Sequence, residues 1–244
     1  LVVSGAYMQL YFGDVENYTL TGVLILAYLL AALWFLHRKV PVTLAAGILA
    51  VALTFHLLSG FLGPSLLVLY WVAFRRKCFA DMAAGVLVFV AIVGATLLFL
   101  HTHGLPIQDL FYRSFAFGYG GEVKTWLRPN WDTFLGQMNL LFLLFPAWGV
   151  ALGGIVMSLK RFDQQNAFFL VAVGVMMFLF FAWKSAIGIY NDWNLFANSA
   201  FVLAVFTWYS LLRSPWRWKT EILAACFLIN ALPGYTWIIT NHFL

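Results

Sequence analysis

The sequence predicts an all-α fold, a polytopic transmembrane helical bundle with about eight spans. Two observations lead to this fold class. Of the 244 residues, 64% are hydrophobic and only 9% are charged, whereas a soluble domain is about half apolar and about a quarter charged. Apolar residues also run unbroken over about 18 positions or more, which is the length of a membrane-spanning helix. The solvent for most of the chain is therefore lipid.

The same composition excludes other classes of protein. Nucleic-acid binding and intrinsic disorder both need charge that this chain lacks, and two cysteines are too few for a disulfide framework. A β-barrel would show segments of about 10 residues that alternate apolar and polar side chains. Continuous apolar runs predict helices instead, and residues 1–244 are expected to form one transmembrane domain.

The spans are bounded by charged residues or proline at the ends of apolar runs. The third is short, because its 14 residues cover only about 21 Å of a hydrocarbon core of about 30 Å. Gly60, Gly63 and Pro64 are expected to supply the turn beside it. The eight spans cover residues 20–36, 41–59, 61–74, 82–100, 134–158, 167–187, 195–212 and 221–240.

Basic residues predict the orientation, because Lys and Arg near span ends stay on the cytoplasmic side. Alternating spans place 10 of the 14 basic residues on one face and six of the nine acidic residues on the other. The long connection 101–133 falls on the acidic, outer face, and connections of that length are typically functional. Chemistry is therefore expected on the outer face. The inner-face residues are Arg38, Lys39, Arg75, Arg76, Lys77, Lys160, Arg161, Arg213, Arg217 and Lys219.

The first candidate site is the segment FGDVENYTL at residues 12–20. Asp14 and Glu16 are two residues apart, a spacing that can chelate a divalent ion or hold a phosphate-bound ion. The alternative is that both carboxylates simply begin a helix, where the macrodipole favours negative charge.

His56 is the second candidate, because an ionisable side chain within an apolar span is costly and usually faces the bundle interior. It is expected about one turn from the outer end, at the depth of Glu16. The alternative is a neutral core histidine that is hydrogen-bonded to a neighbouring helix.

The third candidate is the segment IYNDWNLFA at residues 189–197. Asn191, Asp192, Trp193 and Asn194 offer donors, an acceptor and an aromatic plate, which suit a sugar or a pyrophosphate-like group. An interfacial Trp and a helix cap would have the same sequence. Lys184 either supplies a cation for a phosphate or extends its ammonium group to the interface.

The long connection begins with His101 and His103, and Asp109 follows. This is a weak metal signal, because a third ligand at an interpretable spacing is missing. The chain contains none of the common nucleotide-binding or hydrolase motifs of soluble proteins, such as G-x-G-x-x-G or G-x-S-x-G.

Together these segments resemble bacterial polytopic proteins related to the GT-C glycosyltransferases, in the mannosyltransferase-like group that uses dolichyl- or polyprenyl-phosphate sugars. Asn194 stands where that pattern has a second acid. The family's essential acid lies in an outer loop several helices before the matching region. We therefore expect either a piece of a longer enzyme or a relative that has lost catalysis. The resemblance is carried by FGDVENYTL at 12–20, TFHLLSGFLGPSLLVLYW at 54–71, WDTFLGQMNLLFLLFPAWG at 131–149 and NDWNLFA at 191–197.

The resemblance implies that a sugar is transferred from a polyprenyl-phosphate donor on the outer, periplasmic face of a cell inner membrane. Glu16 or Asp14 would act as general base or metal ligand, and Asp192 would orient a hydroxyl. The involvement of a divalent metal stays open. The donor's tail needs an apolar groove that opens beside these polar groups. The implied substrate-binding residues are Tyr18, His56, Lys184, Asn191, Trp193 and Asn194.

Two other functions compete with this interpretation. A non-catalytic integral subunit would pack against other membrane proteins, and Gly149, Gly153 and Gly154 would permit close helix contact. A transporter has less support, because few ionisable residues lie inside the spans. Under each interpretation the chain contacts membrane lipids.

Overall fold

The computed structural model describes residues 18–104, 131–182 and 193–243. Most of these residues are in helices and none is in a strand, which confirms the all-α prediction for this part of the chain. A 3-10 helix, Leu57–Leu62, joins α2 to α3. The α-helices are α1 Tyr18–Leu36, α2 Val42–Phe55, α3 Gly63–Arg75, α4 Phe79–Thr102, α5 Trp131–Leu144, α6 Trp148–Lys160, α7 Gln164–Ala182, α8 Trp193–Arg213 and α9 Lys219–Phe243.

Four stretches are long and apolar enough to cross a membrane. They are α1, the combined stretch Leu57–Arg75, α4 and α7, and the pair α5 and α6 makes a fifth if it is counted as one span. This composition supports a membrane protein, but it does not confirm the predicted eight spans. One reason is that α2, with 14 residues, is shorter than a full span.

The turn between the second and third predicted spans lies at His56. The backbone of His56 is extended, with φ −152° and ψ 121°, so α2 ends at Phe55. The prediction of a turn at Gly60, Gly63 and Pro64 is wrong, because Gly60 lies within the 3-10 helix and Gly63 begins α3. The 3-10 residues lengthen the third span to 19 residues.

The predicted span 134–158 is broken in the structure. Helices α5 and α6 meet at 94°, and Pro146 lies in the break, where its ring and missing N–H end a helix. The side chain of Asn230 in α9 forms a hydrogen bond with the break, since its Oδ1 accepts the Ala147 N–H at 3.1 Å. Its Nδ2 also donates to the Cys226 carbonyl at 2.8 Å.

The hydrophobic core is rich in aromatic side chains from α1, α7 and α8. Tyr28 is fully buried and shares a hydrogen bond of 2.7 Å with the Ser65 hydroxyl. Phe168 lies 5.9 Å from the Tyr28 ring, and Phe169 lies 6.0 Å from the ring of Phe206. Helix α4, in contrast, buries only one described residue, Gly85, so most of its apolar surface faces outward.

Arg76 ties several helix ends together at one end of the bundle. Its guanidinium donates to the carbonyls of Phe35 and Leu36, both at 2.8 Å, and to Gln164 Oε1 at 3.1 Å. The last carbonyls of a helix lack partners within it, so these bonds satisfy the end of α1. Arg76 therefore joins the ends of α1 and α3 to the start of α7.

The same end of the bundle gathers other segments that the sequence assigns to the inner face. Gln165 contacts His37 Nε2 at 3.1 Å and accepts from Arg213 at 2.8 Å. Asp81, at the start of α4, accepts the N–H groups of Val42 and Thr43 at the start of α2. We call this region, where these helix ends lie side by side, the basic end. Its basic residues are Arg38, Lys39, Arg75, Arg76, Lys77, Lys160, Arg161 and Arg213.

An ion pair at the basic end predicts a response to acid. Burial raises the pKa of Asp163, but hydrogen bonds from the Arg213 guanidinium, 2.8 Å away, and from the Asn166 and Gln165 N–H groups outweigh it, so the net pKa is below the ordinary 3.8. A carboxyl group whose pKa is lower in the folded than in the unfolded state stabilises the fold at pH values above the unfolded-state pKa. That stabilisation is lost as the pH falls through the folded-state pKa.

We therefore expect the contribution of this ion pair to the melting temperature of the detergent-solubilised protein to be constant from pH 7 to about pH 5. Below about pH 4 the contribution, and with it the melting temperature, should fall. The effect is modest, because the pair is exposed to solvent. The Asp163→Asn variant should lose part of this acid sensitivity. An identical pH profile for the variant and the native protein would show that the ion pair does not contribute.

Candidate functional site

The structure places Tyr18 and His56 together at the end of the bundle opposite the basic end. Helix α2 starts beside Asp81 at the basic end and covers about 21 Å before it ends at Phe55. The ring centroids of Tyr18 and His56 are 4.7 Å apart, and the rings are tilted by 40°. Two of the predicted substrate-binding residues are therefore in contact, and Tyr18 follows Glu16 by two positions. We call this region the outer end.

The hydrogen bonding of His56 gives its ring a definite orientation. His56 is half-buried, and its Nδ1 accepts the N–H of Leu58 at 3.2 Å. This bond caps the 3-10 helix, so it runs within the turn and not to a neighbouring helix. A neutral ring that accepts at Nδ1 carries its proton on Nε2. The Nε2–H group can then donate to a ligand.

An apolar groove includes Leu57, the residue that follows His56, in its wall. It lies between the 3-10 turn and α7 and has a volume of about 500 Å³. Gly174 keeps it open, since nothing lies within 4 Å of the position that a Cβ atom would take there. Apolar surface of this shape suits a hydrocarbon chain. The lining residues are Leu53, Leu57, Gly60, Phe61, Pro64, Gly174, Val175 and Phe178.

The groove has no signal in the sequence before the fold is known. Leu57 and Gly174 are more than 100 positions apart along the chain, and packing of α7 on the 3-10 turn brings them to one cavity. The small residues Gly60 and Gly174 look like ordinary residues of apolar spans. Their role depends on which helices become neighbours.

Most of the predicted polar site lies outside the described residues. This holds for Asp14, Glu16, Lys184, Asn191 and Asp192. Helix α8 begins at Trp193 and Asn194, directly after Asp192. The roles predicted for these seven residues stay predictions.

The described part of the chain offers no metal centre, since it contains no group of three or more His, Cys, Asp or Glu residues that could hold an ion. His101 and His103 lie at the end of α4, and His103 Nδ1 contacts the Phe99 carbonyl at 2.8 Å. Asp109 lies outside the described residues, as do the Asp14 and Glu16 carboxylates proposed as ligands. Cys78 and Cys226 are free thiols.

Comparison with known proteins adds no assignment to this site. The sequence matches no protein-family model, no curated protein and no solved structure. The resemblance to GT-C enzymes rests on the four sequence segments quoted above.

Proposed function

We propose that the protein is an integral membrane glycosyltransferase of the GT-C type, which transfers a sugar from a polyprenyl-phosphate donor. The observation that carries the proposal is the apolar groove of about 500 Å³, whose wall includes Leu57, the residue directly after His56. A lipid-linked sugar has a long apolar tail and a charged head. The apolar groove matches the tail, and a donor such as His56 Nε2–H, next to Leu57 in the sequence, would serve the charged head.

The tail would enter the groove from the side. Phe178, Gly60 and Pro64 are exposed residues of the groove wall, so the cavity opens along the outside of the bundle. In a membrane this opening would face the lipid, where a polyprenyl chain is dissolved. A donor could then enter without leaving the bilayer.

The transfer follows from the chemistry of the donor. The acceptor's hydroxyl oxygen attacks the anomeric carbon, the bond between that carbon and the phosphate oxygen breaks, and polyprenyl phosphate leaves. The hydroxyl proton passes to Glu16 or Asp14. Nε2–H of His56 would donate to the phosphate as its oxygen gains charge.

The remaining predicted residues would complete the site around the sugar. Asp192 would orient the acceptor hydroxyl, and Trp193 would stack on a face of the sugar. Binding of a divalent ion by Asp14 and Glu16 is the alternative use of those carboxylates. The site would face the periplasm and the basic end the cytoplasm, in a bacterial inner membrane.

A non-catalytic subunit loses part of its support in the structure. A Cβ atom on Gly154 would lie 2.9 Å from the Cβ of Ser210 in α8, and one on Gly153 would lie 3.2 Å from the Trp216 ring. These two glycines therefore permit close packing within the chain. Gly149, where nothing lies within 4 Å of a Cβ position, stays compatible with a contact to another protein.

Filling the groove tests the proposal. Gly174→Leu should raise the KM for polyprenyl-phosphate mannose about tenfold or more, because the leucine takes the place of part of the tail and its apolar contacts. The measurement is release of labelled mannose from the lipid in proteoliposomes over a range of donor concentrations. Gly94→Leu in α4 is the matched control, since Gly94 is also helical with open space around it. Equal KM values for the two variants, or no release by the native protein, would contradict the proposal.

The same assay tests the carboxylate chemistry. Glu16→Gln should lower the turnover rate by about 10²–10⁴-fold, which is the usual contribution of a general base, with donor binding retained. Glu221→Gln is the control, because Glu221 is an exposed carboxylate in the first turn of α9. A Glu16→Gln variant with native turnover would remove Glu16 from the mechanism.

A further inference from the structure

A second cavity lies at the basic end, where α6, α7 and α8 converge. Its volume is about 180 Å³, enough for several water molecules or one small polar group. Its buried floor differs from its exposed, charged rim. The floor contains Ser158, Asn166 and Ser210, and the rim contains Arg161, Asp163 and Arg213.

The floor holds a polar group that the protein itself does not satisfy. Ser210 is only 7% exposed, and its hydroxyl has no hydrogen-bond partner. Buried hydroxyl groups almost always have a partner, because losing hydration without replacing it is costly. An unsatisfied hydroxyl in the lining of a cavity therefore indicates a polar occupant.

The rim carries one positive charge that is not neutralised. Arg213 pairs with Asp163 at 2.8 Å and also donates to Gln165. The guanidinium of Arg161 has no partner among the described residues, and it lies at the edge of the same cavity. Two cations and one anion leave a net charge of +1, which matches a singly charged anion.

The surface around the rim is apolar. Phe162, between Arg161 and Asp163, is 70% exposed, and Leu159 is 60% exposed. Leu212, next to Arg213, is exposed as well. Large apolar side chains beside a charged pocket are typical of a position at the membrane interface, where headgroups meet acyl chains.

We propose that this cavity binds the phosphodiester headgroup of a phospholipid from the leaflet at the basic end. Arg161 and Ser210 donate to the phosphate oxygens, and Phe162, Leu159 and Leu212 contact the acyl chains. The guanidinium of Arg213 stays paired with Asp163. The site lies at the opposite end of the bundle from His56, so the proposal is independent of the proposed transferase activity.

Binding of phosphatidylglycerol to the delipidated, detergent-solubilised full chain tests the ligand. We expect native mass spectrometry to show a bound lipid, with inorganic phosphate at least about tenfold weaker and diacylglycerol, which lacks the phosphodiester, unbound. If inorganic phosphate bound as tightly as the lipid, the proposal that the ligand is a phospholipid would be overturned. Diacylglycerol that binds equally well would overturn the role of the phosphate.

Variants test the residues. Arg161→Gln and Ser210→Ala should each weaken phosphatidylglycerol binding about tenfold, since each removes a hydrogen bond to a charged group. Arg217 is an exposed arginine four positions after Arg213 that does not line the cavity, so Arg217→Gln should bind as the native protein does. Native binding by both cavity variants, or an equal loss in Arg217→Gln, would overturn the proposal.

Thermal denaturation of Ser210→Ala separates binding from folding. Without lipid its melting temperature should equal or exceed the native value, because the change removes a hydroxyl that has no partner. With lipid the rise in melting temperature should be smaller than in the native protein. A variant that melts earlier without lipid and gains the full native rise with it would show that the hydroxyl serves packing, and would overturn the proposal.

Discussion

Replacing Asn230 by Leu is expected to destabilise the protein by about 1–3 kcal/mol. Asn230 is completely buried, and its Oδ1 accepts the Ala147 N–H in the break between α5 and α6. Leucine has nearly the same shape and no acceptor. The Ala147 N–H would then be buried without a partner, and such a group loses its hydration with no replacement.

The change should also loosen the break itself. Pro146 prevents α5 from continuing into α6, but a missing N–H does not determine the 94° angle between the two helices. The contact with Asn230 joins the break to α9, because Asn230 lies 83 positions after Ala147. Without that contact the two helices lose one polar restraint on their relative orientation.

Unfolding in mixed detergent micelles, followed by circular dichroism, measures the effect. Thr236→Val is a suitable control in the same helix, because Thr236 is exposed and bonds only to the Leu232 carbonyl of its own helix. It should change the free energy of unfolding by less than about 0.5 kcal/mol. If Asn230→Leu behaved like Thr236→Val, the contact with Ala147 would carry no energy.

Helical class and the grouping of basic residues could be predicted from the sequence because both depend on local composition. Long apolar runs favour helices wherever they occur, and positively charged residues collect at one end for the same reason in each span. Arg76 illustrates the limit of this argument. Its position predicts a topological anchor, but its bonds to the carbonyls of Phe35 and Leu36 depend on the packing of α3 against α1.

The broken fifth span was partly visible in the sequence. Pro146 inside the run 134–158 is a helix-breaking residue. A span that is assigned from the number of apolar residues alone does not take this proline into account. The turn at His56 is harder to foresee, because Gly60, Gly63 and Pro64 are stronger turn formers than histidine. Here the histidine side chain itself accepts the Leu58 N–H and supplies the cap.

The candidate site also combines features that follow from the local sequence with features that depend on tertiary packing. Counting helical turns predicts a shared depth for His56 and Glu16, which stays a prediction because Glu16 lies outside the described residues. The contact between His56 and Tyr18 is described. The groove depends on the pairing of α7 with the 3-10 turn, which a single sequence does not encode in any short pattern. The unsatisfied Ser210 hydroxyl likewise becomes recognisable only once its surroundings are known.

Gly85→Ala is expected to destabilise the contact between α4 and its neighbours by about 1–3 kcal/mol. A Cβ atom at residue 85 would lie 2.5 Å from the Tyr70 hydroxyl and 3.4 Å from the Thr43 Cα. The first distance is far below a van der Waals contact, so the Tyr70 ring must move. That hydroxyl is buried and has no hydrogen-bond partner.

Tyr70→Phe should rescue the alanine variant, because it removes the one atom that the new methyl group would meet too closely. Alone, Tyr70→Phe should be neutral or slightly stabilising, since it deletes a buried hydroxyl that has no partner. The double-mutant cycle should therefore give a coupling energy of about 1–3 kcal/mol between residues 70 and 85. Additive effects of the two changes would contradict the predicted contact.

Gly94→Ala supplies the control for the cycle. Gly94 is in the same helix, and nothing lies within 4 Å of its Cβ position, so alanine should stabilise α4 by up to about 1 kcal/mol through helix propensity. The same substitution thus has opposite expected signs at two positions nine residues apart, because only one faces Tyr70. Equal effects at both positions would mean that α4 does not pack as described. Since Gly85 is the one described residue of α4 that is buried, this contact bears directly on whether α4 is held by the bundle or mainly by lipid.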